Sequence, residues 1–385
     1  MKHVMPIADR PPIIMQRGAG SYLWDNNGRD YLDFVQGWAV NCLGHCPPEI
    51  ITALTHQSSQ LINPSPAFYN PLMLSVSTQL AQLSGLDHVF FTNSGAEANE
   101  GAIKLARKWG GIHRDGAYEI ITFTHSFHGR TLATMSASGK PGWDTLFEPK
   151  VPGFVKVPYA DLDAVDAAIT PRTVAVMLEV IQGEGGVIPA PHSFVQSLRR
   201  LTQQKGLLFI IDEVQTGIAR SGALFAHQHY QVQPDILTLG KGLGGGVPVA
   251  ALLAKDHCSV FEYGDQGGTY NGNPLVLAAV NAVLQAITAE GFLASVHHHS
   301  NQLQTLIASR ATEWGVTECR GMGLLLAMQF KQDVAAQLVK KGLSNGLLIN
   351  APRPNVIRLM PSLRLTESEI QDFDMRFSLT QQGIS

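Results

Sequence analysis

The sequence has only four cysteines in 385 residues, at positions 42, 46, 258 and 319, too few and too irregularly spaced for a disulfide framework. Cys42, His45 and Cys46 lie near one another but lack a fourth ligand at a recognisable spacing. They read as small buried thiols in a turn, and no metal is expected. Charge is sparse and nearly balanced: 28 Lys and Arg stand against 31 Asp and Glu, a net charge of -3. No basic run could neutralise a row of phosphates, which excludes nucleic acid as a partner. No apolar stretch is long enough to span a bilayer, the longest being broken by Glu179 or by Asp212 and Glu213. The opening Met1-Lys2-His3-Val4-Met5-Pro6 has none of the parts of a secretory signal, so a cytoplasmic protein with no membrane partner is expected. Internal repeats and low-complexity linkers are also missing, and His297-His298-His299 reads as an exposed stretch of helix.

What is present is a chain with 45% hydrophobic residues, longer than one ordinary domain. Ser21-Tyr22-Leu23-Trp24, the turn Asp25-Asn26-Asn27-Gly28 and Tyr31-Leu32-Asp33-Phe34 form a short antiparallel unit. From about residue 60, strand-length apolar runs alternate with helix-period stretches: 89–92 then 96–109, 119–123, 173–180 then 193–204, 207–211 and 236–239. Nearly all-apolar strands in such alternation predict an α/β fold, with a mostly parallel sheet covered by helices on both faces. Beyond Pro274, long helices over 275–287 and 293–307 lead away from that sheet. After them come 324–330, a helix near 332–344, short strands at 347–349 and 356–359, and a last helix opening at Thr366-Glu367, a second, smaller α+β domain. The predicted division is an N-terminal segment, 1–58, that joins the small domain, a large domain, 59–275, and the C-terminal small domain, 276–385.

Four features carry chemistry. Asn93-Ser94-Gly95-Ala96-Glu97 places a small-residue turn between a strand and a helix. There the Gly95 and Ala96 N–H groups and the Ser94 hydroxyl face an anion at the positive end of the helix, or Ser94 is an ordinary N-cap. Asp212-Glu213 ends an apolar strand, at the edge where open α/β sheets bind ligands. Lys241 follows another strand within Gly240-Lys241-Gly242-Leu243-Gly244-Gly245-Gly246, whose glycines leave room for a planar group on the amine. That run lacks the Walker spacing and leads into a strand-like stretch, 248–254, so it is not a nucleoside-triphosphate loop. Phe127-His128-Gly129-Arg130 supplies something flat. An anion site, an acid partner for a pyridine nitrogen, an amine and a flat wall are what pyridoxal phosphate requires.

These motifs, with Glu179-Val180-Ile181-Gln182-Gly183-Glu184-Gly185-Gly186 and Asp212-Glu213-Val214-Gln215-Thr216-Gly217, stand in the order and spacing of the class III pyridoxal-phosphate aminotransferases. The chain resembles that family over essentially its whole length, and most resembles the acetylornithine and ornithine branch. The resemblance implies the fold-type I transferase architecture: a large domain with a seven-stranded, mostly parallel sheet and a small α+β domain built from both chain ends. It also implies a homodimer with shared active sites. By resemblance Lys241 is the Schiff-base lysine and proton carrier, Asp212 pairs with the pyridine nitrogen and Gln215 with the ring hydroxyl. Phe127 and Val214 sandwich the ring, with His128 in the same motif. Ser94, Gly95 and Ala96 hold the phosphate, completed by Thr269 from a neighbouring subunit.

For substrates, the resemblance gives Arg130 the carboxylate far from the reacting amine, held by a two-pronged geometry that lysine lacks. Arg358 takes the α-carboxylate of glutamate, and Glu184 masks Arg358 while an ω-amine substrate is bound. The implied reaction moves the terminal amine of N2-acetylornithine to 2-oxoglutarate, in arginine biosynthesis. Other ω-amine donors stay open: ornithine, succinylornithine, 4-aminobutyrate, putrescine or an N-succinyl-diaminopimelate intermediate. A non-catalytic homologue that binds without turnover is the reading of a different class, and retention of both Lys241 and Asp212 argues against it. Two positions depart from the branch: Ala8 stands where a tyrosine is common, and Trp38 where smaller aliphatic side chains or tyrosine line the pocket. The Trp38 indole narrows the pocket, stacks on an acyl group, or belongs to the core.

Overall fold

The structure, a computed structural model, describes residues 3–384. Met1 and Lys2 of the opening hexapeptide, and Ser385, lie outside the described residues. Its largest sheet has seven strands, in the order His88–Thr92, Ala250–Ala254, Ile236–Leu239, Leu208–Glu213, Thr173–Leu178, Glu119–Phe123, Phe154–Val157. Six run in one direction; Ala250–Ala254 is antiparallel to both of its neighbours. The central strands are apolar at nearly every position because both faces are covered.

Side chains along such a strand alternate between faces. Phe209 and Ile211 belong to the larger core, while Leu208 and Ile210 belong to a smaller one shared with Ala102, Ile103, Leu105 and Ala106 of the helix Gly95–His113. Each buried Leu, Ile or Phe among these stabilises the fold by about 1.5–3 kcal/mol. The long helix is thereby held along the sheet with its N-terminus at the ligand edge.

The chain ends meet. Leu347–Leu348 pairs in parallel with Asp30–Asp33, extending the N-terminal antiparallel unit to four strands. The last helix, Glu367–Gln381, opens with a capping box between Thr366 and Glu369. Its Phe373 stacks on Phe34 of the N-terminal segment, centroids 4.5 Å apart. A further four-stranded antiparallel sheet, Val316–Met322, Leu325–Phe330, Val356–Leu359, Asn350–Arg353, carries Arg358.

The helix expected over 293–307 runs from Phe292 to Trp314, because Trp314 is buried against Phe373 and Phe377 and holds the extra turns in place. Only one of the paired cysteines is a buried thiol. Cys42 donates to the Gly242 carbonyl at 3.1 Å, while Cys46 is exposed on a left-handed residue. His45 is occupied by Asp33, Nε2 to Oδ2 2.8 Å. Among the described residues no single helix is long and apolar enough to cross a membrane, and the one adjoining pair of suitable composition, Pro274–Ile287 with Phe292–Trp314, is bent by 73°.

Candidate active site

Five strands of common direction deliver side chains to one edge of the large sheet. His88–Thr92 leads to Ser94 and Gly95, Glu119–Phe123 to Phe127 and His128, and Thr173–Leu178 to Glu179. Leu208–Glu213 carries Asp212 next to its last residue, and Ile236–Leu239 leads to Lys241. This is the carboxyl edge, where ligands bind in open parallel sheets. A cleft of about 260 Å³ opens there, walled by Gly95, Phe127, Arg130, Asp212, Val214 and Lys241 among others.

At one end lies the N-terminus of the 19-residue helix Gly95–His113. Ser94 Oγ accepts from the Glu97 N–H at 3.2 Å, so its oxygen caps the helix and its hydrogen stays free to donate. The first N–H groups have no partner within a helix and carry the positive end of its dipole. Glycine is required at 95 by close approach: a Cβ there would meet Val214 Cγ1 at 2.5 Å.

At the other end Asp212 is buried and heavily bonded. His128 Nδ1 lies 2.8 Å from its Oδ2, Asn99 Nδ2 donates to the same oxygen at 2.7 Å, and the Val214 N–H donates to Oδ1 at 3.0 Å. Thr238 fixes Asn99 in turn, its hydroxyl donating to Oδ1 at 2.7 Å. Burial works against a charge on His128, but its hydrogen bond to Asp212 and the carboxylate's field outweigh that and raise its pKa. His128 therefore backs Asp212 through this hydrogen bond, while the aromatic wall of the cleft is Phe127.

Lys241 sits on left-handed backbone, φ 45°, a conformation that costs a non-glycine residue about 1 kcal/mol or more and turns its side chain from the strand end into the cleft. Burial, then the charge of Arg358, lowers its pKa against the opposing pull of Asp212, Glu179 and Glu184. An amine so held is more often neutral and nucleophilic. Glu179, which the sequence reading quoted without a role, is buried beside it. Burial and the charge of Asp212 push its pKa up to about 7, against His128 and the Phe127 N–H, which donates to Oε2 at 2.9 Å. Asn99, which holds Asp212, is a further site residue that the motifs above leave out. Its signal was available, since one turn beyond Gly95 it shares that residue's helix face.

The arginine of the smaller sheet reaches the same place. Arg358 is fully buried: Nε and Nη2 donate to Asn350 Oδ1 at 3.0 and 2.7 Å, and Nη1 donates to Gln215 Oε1 at 3.1 Å. Nη2 also reaches Glu184 Oε1 at 2.7 Å. Gly183 makes room, because a Cβ there would lie 1.8 Å from Gln215 Oε1. Arg130 stands on the cleft wall with an exposed side chain. Thr269 is outside this chain's cleft, exposed, its carbonyl accepting from Asn63 Nδ2 at 3.2 Å. Trp38 is 55% exposed on a run of left-handed residues, so its indole is neither core nor part of the cleft wall. Ala8 is exposed, ahead of the first strand.

The sequence model of a family described as aminotransferase class-III matches residues 4–380. Acetylornithine aminotransferase 2 of Bordetella pertussis is 55% identical over 370 residues, 95% of this chain and 93% of that protein. Among solved structures, N-acetylornithine aminotransferase from Stenotrophomonas maltophilia superposes with a TM-score of 0.85 at 34% identity, covering 96% of each chain. Ornithine aminotransferase from Toxoplasma gondii, described with partial occupancy of PLP at its active site, superposes with a TM-score of 0.93 at 32% identity, over 99% of this chain and 92% of that one.

Proposed function

The chain belongs to the class-III aminotransferases, and on that premise we propose that it transfers the terminal amino group of N2-acetylornithine to 2-oxoglutarate, forming N-acetylglutamate 5-semialdehyde and glutamate in arginine biosynthesis. Its cofactor is pyridoxal 5'-phosphate. The observation that carries the reading is the Glu184–Arg358 pair, 2.7 Å, beside Lys241. A terminal-amine donor has no carboxylate on its reacting carbon, whereas glutamate has one. A buried arginine with an internal carboxylate over it serves both: covered for the first, opened for the second.

The donor set fits the cofactor. The Gly95 and Ala96 N–H groups with the Ser94 hydroxyl suit its phosphate, Asp212 its pyridine nitrogen, Phe127 and Val214 its ring faces, and the remaining Gln215 amide hydrogens its ring oxygen. When bound, the cofactor supplies an aldehyde that accepts an amino group and a ring that withdraws electrons from the carbon losing a proton. Lys241 would anchor it and, when its amine is free, would move the proton between the substrate carbon that bears the amino group and the cofactor carbon that receives it. Arg130 clamps the far carboxylate of both substrates, and Arg358 the near carboxylate of glutamate alone. Completion of the phosphate site by Thr269 of a second copy makes the working unit a homodimer, which we place in the cytoplasm. The domain division 1–58, 59–275 and 276–385 belongs to the same proposal.

Specificity constants for N2-acetylornithine, ornithine, 4-aminobutyrate and putrescine test the reading, with N2-acetylornithine expected to be highest. Arg130→Lys replaces a two-pronged clamp by a point charge, and every carboxylate-bearing donor should lose about 1.5–3 kcal/mol of transition-state binding. Putrescine, which has no carboxylate, should be spared. An unchanged constant for N2-acetylornithine would show that its carboxylate binds elsewhere.

A further inference from the structure

Glu184 has a cation at each of its oxygens. Oε1 is 2.7 Å from Arg358 Nη2, and Oε2 is 3.4 Å from Lys140 Nζ. Lys140 follows the helix Leu132–Ala137. Its ammonium lies 5.4 Å from the Trp143 centroid and 6.0 Å from that of Phe127, a ring of the cleft wall. The two cations differ in freedom. Arg358 is buried and fixed by Asn350 and Gln215, whereas the Lys140 side chain is 38% exposed on a flexible stem.

When a substrate carboxylate takes Arg358, Glu184 must leave it. Arg358 cannot follow, because its guanidinium is also held by Asn350 and Gln215. A partly buried carboxylate left unpaired is costly. Lys140 already touches the departing group's second oxygen, so Glu184 can swing away from Arg358 and remain paired throughout. The charges also balance: two cations face one carboxylate before the substrate enters, and two carboxylates afterwards. We propose that Lys140 is a positioning residue that sets specificity in the second half reaction by receiving Glu184 when a dicarboxylate occupies Arg358. The proposal rests on the reading that Glu184 masks Arg358.

The test uses holoenzyme, with each half reaction measured separately and with binding of glutarate, a dicarboxylate that cannot react, followed by calorimetry. In Lys140→Gln, glutarate binding and the specificity constant for 2-oxoglutarate should fall about fivefold, the scale of a partly exposed ion pair. The loss with N2-acetylornithine should be several-fold smaller, and Lys140→Arg should restore the wild-type ratio. In a Glu184→Gln background the same Lys140→Gln change should have no effect on glutarate binding, because a neutral amide needs no cation. Equal losses in both half reactions, or an effect that persists without the Glu184 charge, would overturn the proposal, since Lys140 would then be attracting substrate directly. If Glu184→Gln shifts the balance of half reactions and Lys140→Gln does not, only the role of Lys140 fails. If Glu184→Gln leaves that balance unchanged, the masking reading itself is wrong.

Discussion

Lys241→Ala should lower turnover by roughly 10⁴-fold or more, the upper end of what a positioned acid–base group contributes, because in the proposed function the same amine also anchors the cofactor. The protein should still fold and still take up pyridoxal phosphate without a covalent bond. The helix end at Gly95, the Asp212 network and the Phe127 wall do not depend on the lysine. Nor does the amine support the fold: burial and the field of Arg358 disfavour its charge in the folded state, so its removal should not lower thermal stability. Borohydride reduction followed by intact-mass measurement separates the cases, with cofactor mass retained on wild type and absent from the variant. Near-normal activity in the variant would remove Lys241 from the chemistry.

The second large effect belongs to Asp212. Asp212→Asn keeps the shape but removes the charge that, in the proposed role, would hold a proton on the pyridine nitrogen, and activity should fall by roughly 10²–10⁴-fold. It should also bring the His128 pKa down, since the hydrogen bond and field of Asp212 are what raise it against burial. Asparagine is the informative replacement. Alanine would leave the Asn99 amide and the His128 ring, both buried, without their partner, at about 1–3 kcal/mol for each unmet hydrogen bond. Comparable specificity constants for wild type and Asp212→Asn, in a folded protein, would mean that this carboxylate does not act on the cofactor.

Both positions are legible in the sequence, because each lies at or just past the end of an apolar strand, and strand ends on one edge of a parallel sheet converge. The strands 119–123 and 236–239 matched to the residue for the same reason, that buried parallel strands are continuous apolar runs. What escaped depends on partners distant in sequence. Phe154–Val157 is an edge strand with one buried side chain and a single partner, Glu119–Phe123. The helices Pro48–Ser58 and Pro71–Ser84 carried local signals that went unread, proline at the start of each and an Asn70 cap on the second. Within the site, Glu179 shared the strand-end position that exposed Asp212. Its role beside His128 and Lys241 comes from three strand ends meeting, which no local pattern encodes.

In the proposed function, one cleft takes an amino group from a terminal-amine donor and delivers it to a keto acid. Mixing holoenzyme with N2-acetylornithine alone, without keto acid, tests it in one step. The visible absorbance of the cofactor should bleach, the semialdehyde should appear in an amount equal to the active sites, and 2-oxoglutarate added afterwards should restore the colour with release of glutamate. Absorbance that stays unchanged with N2-acetylornithine, while glutamate bleaches it, would contradict the assigned donor and leave the carboxylate-gated arginine serving a different amine.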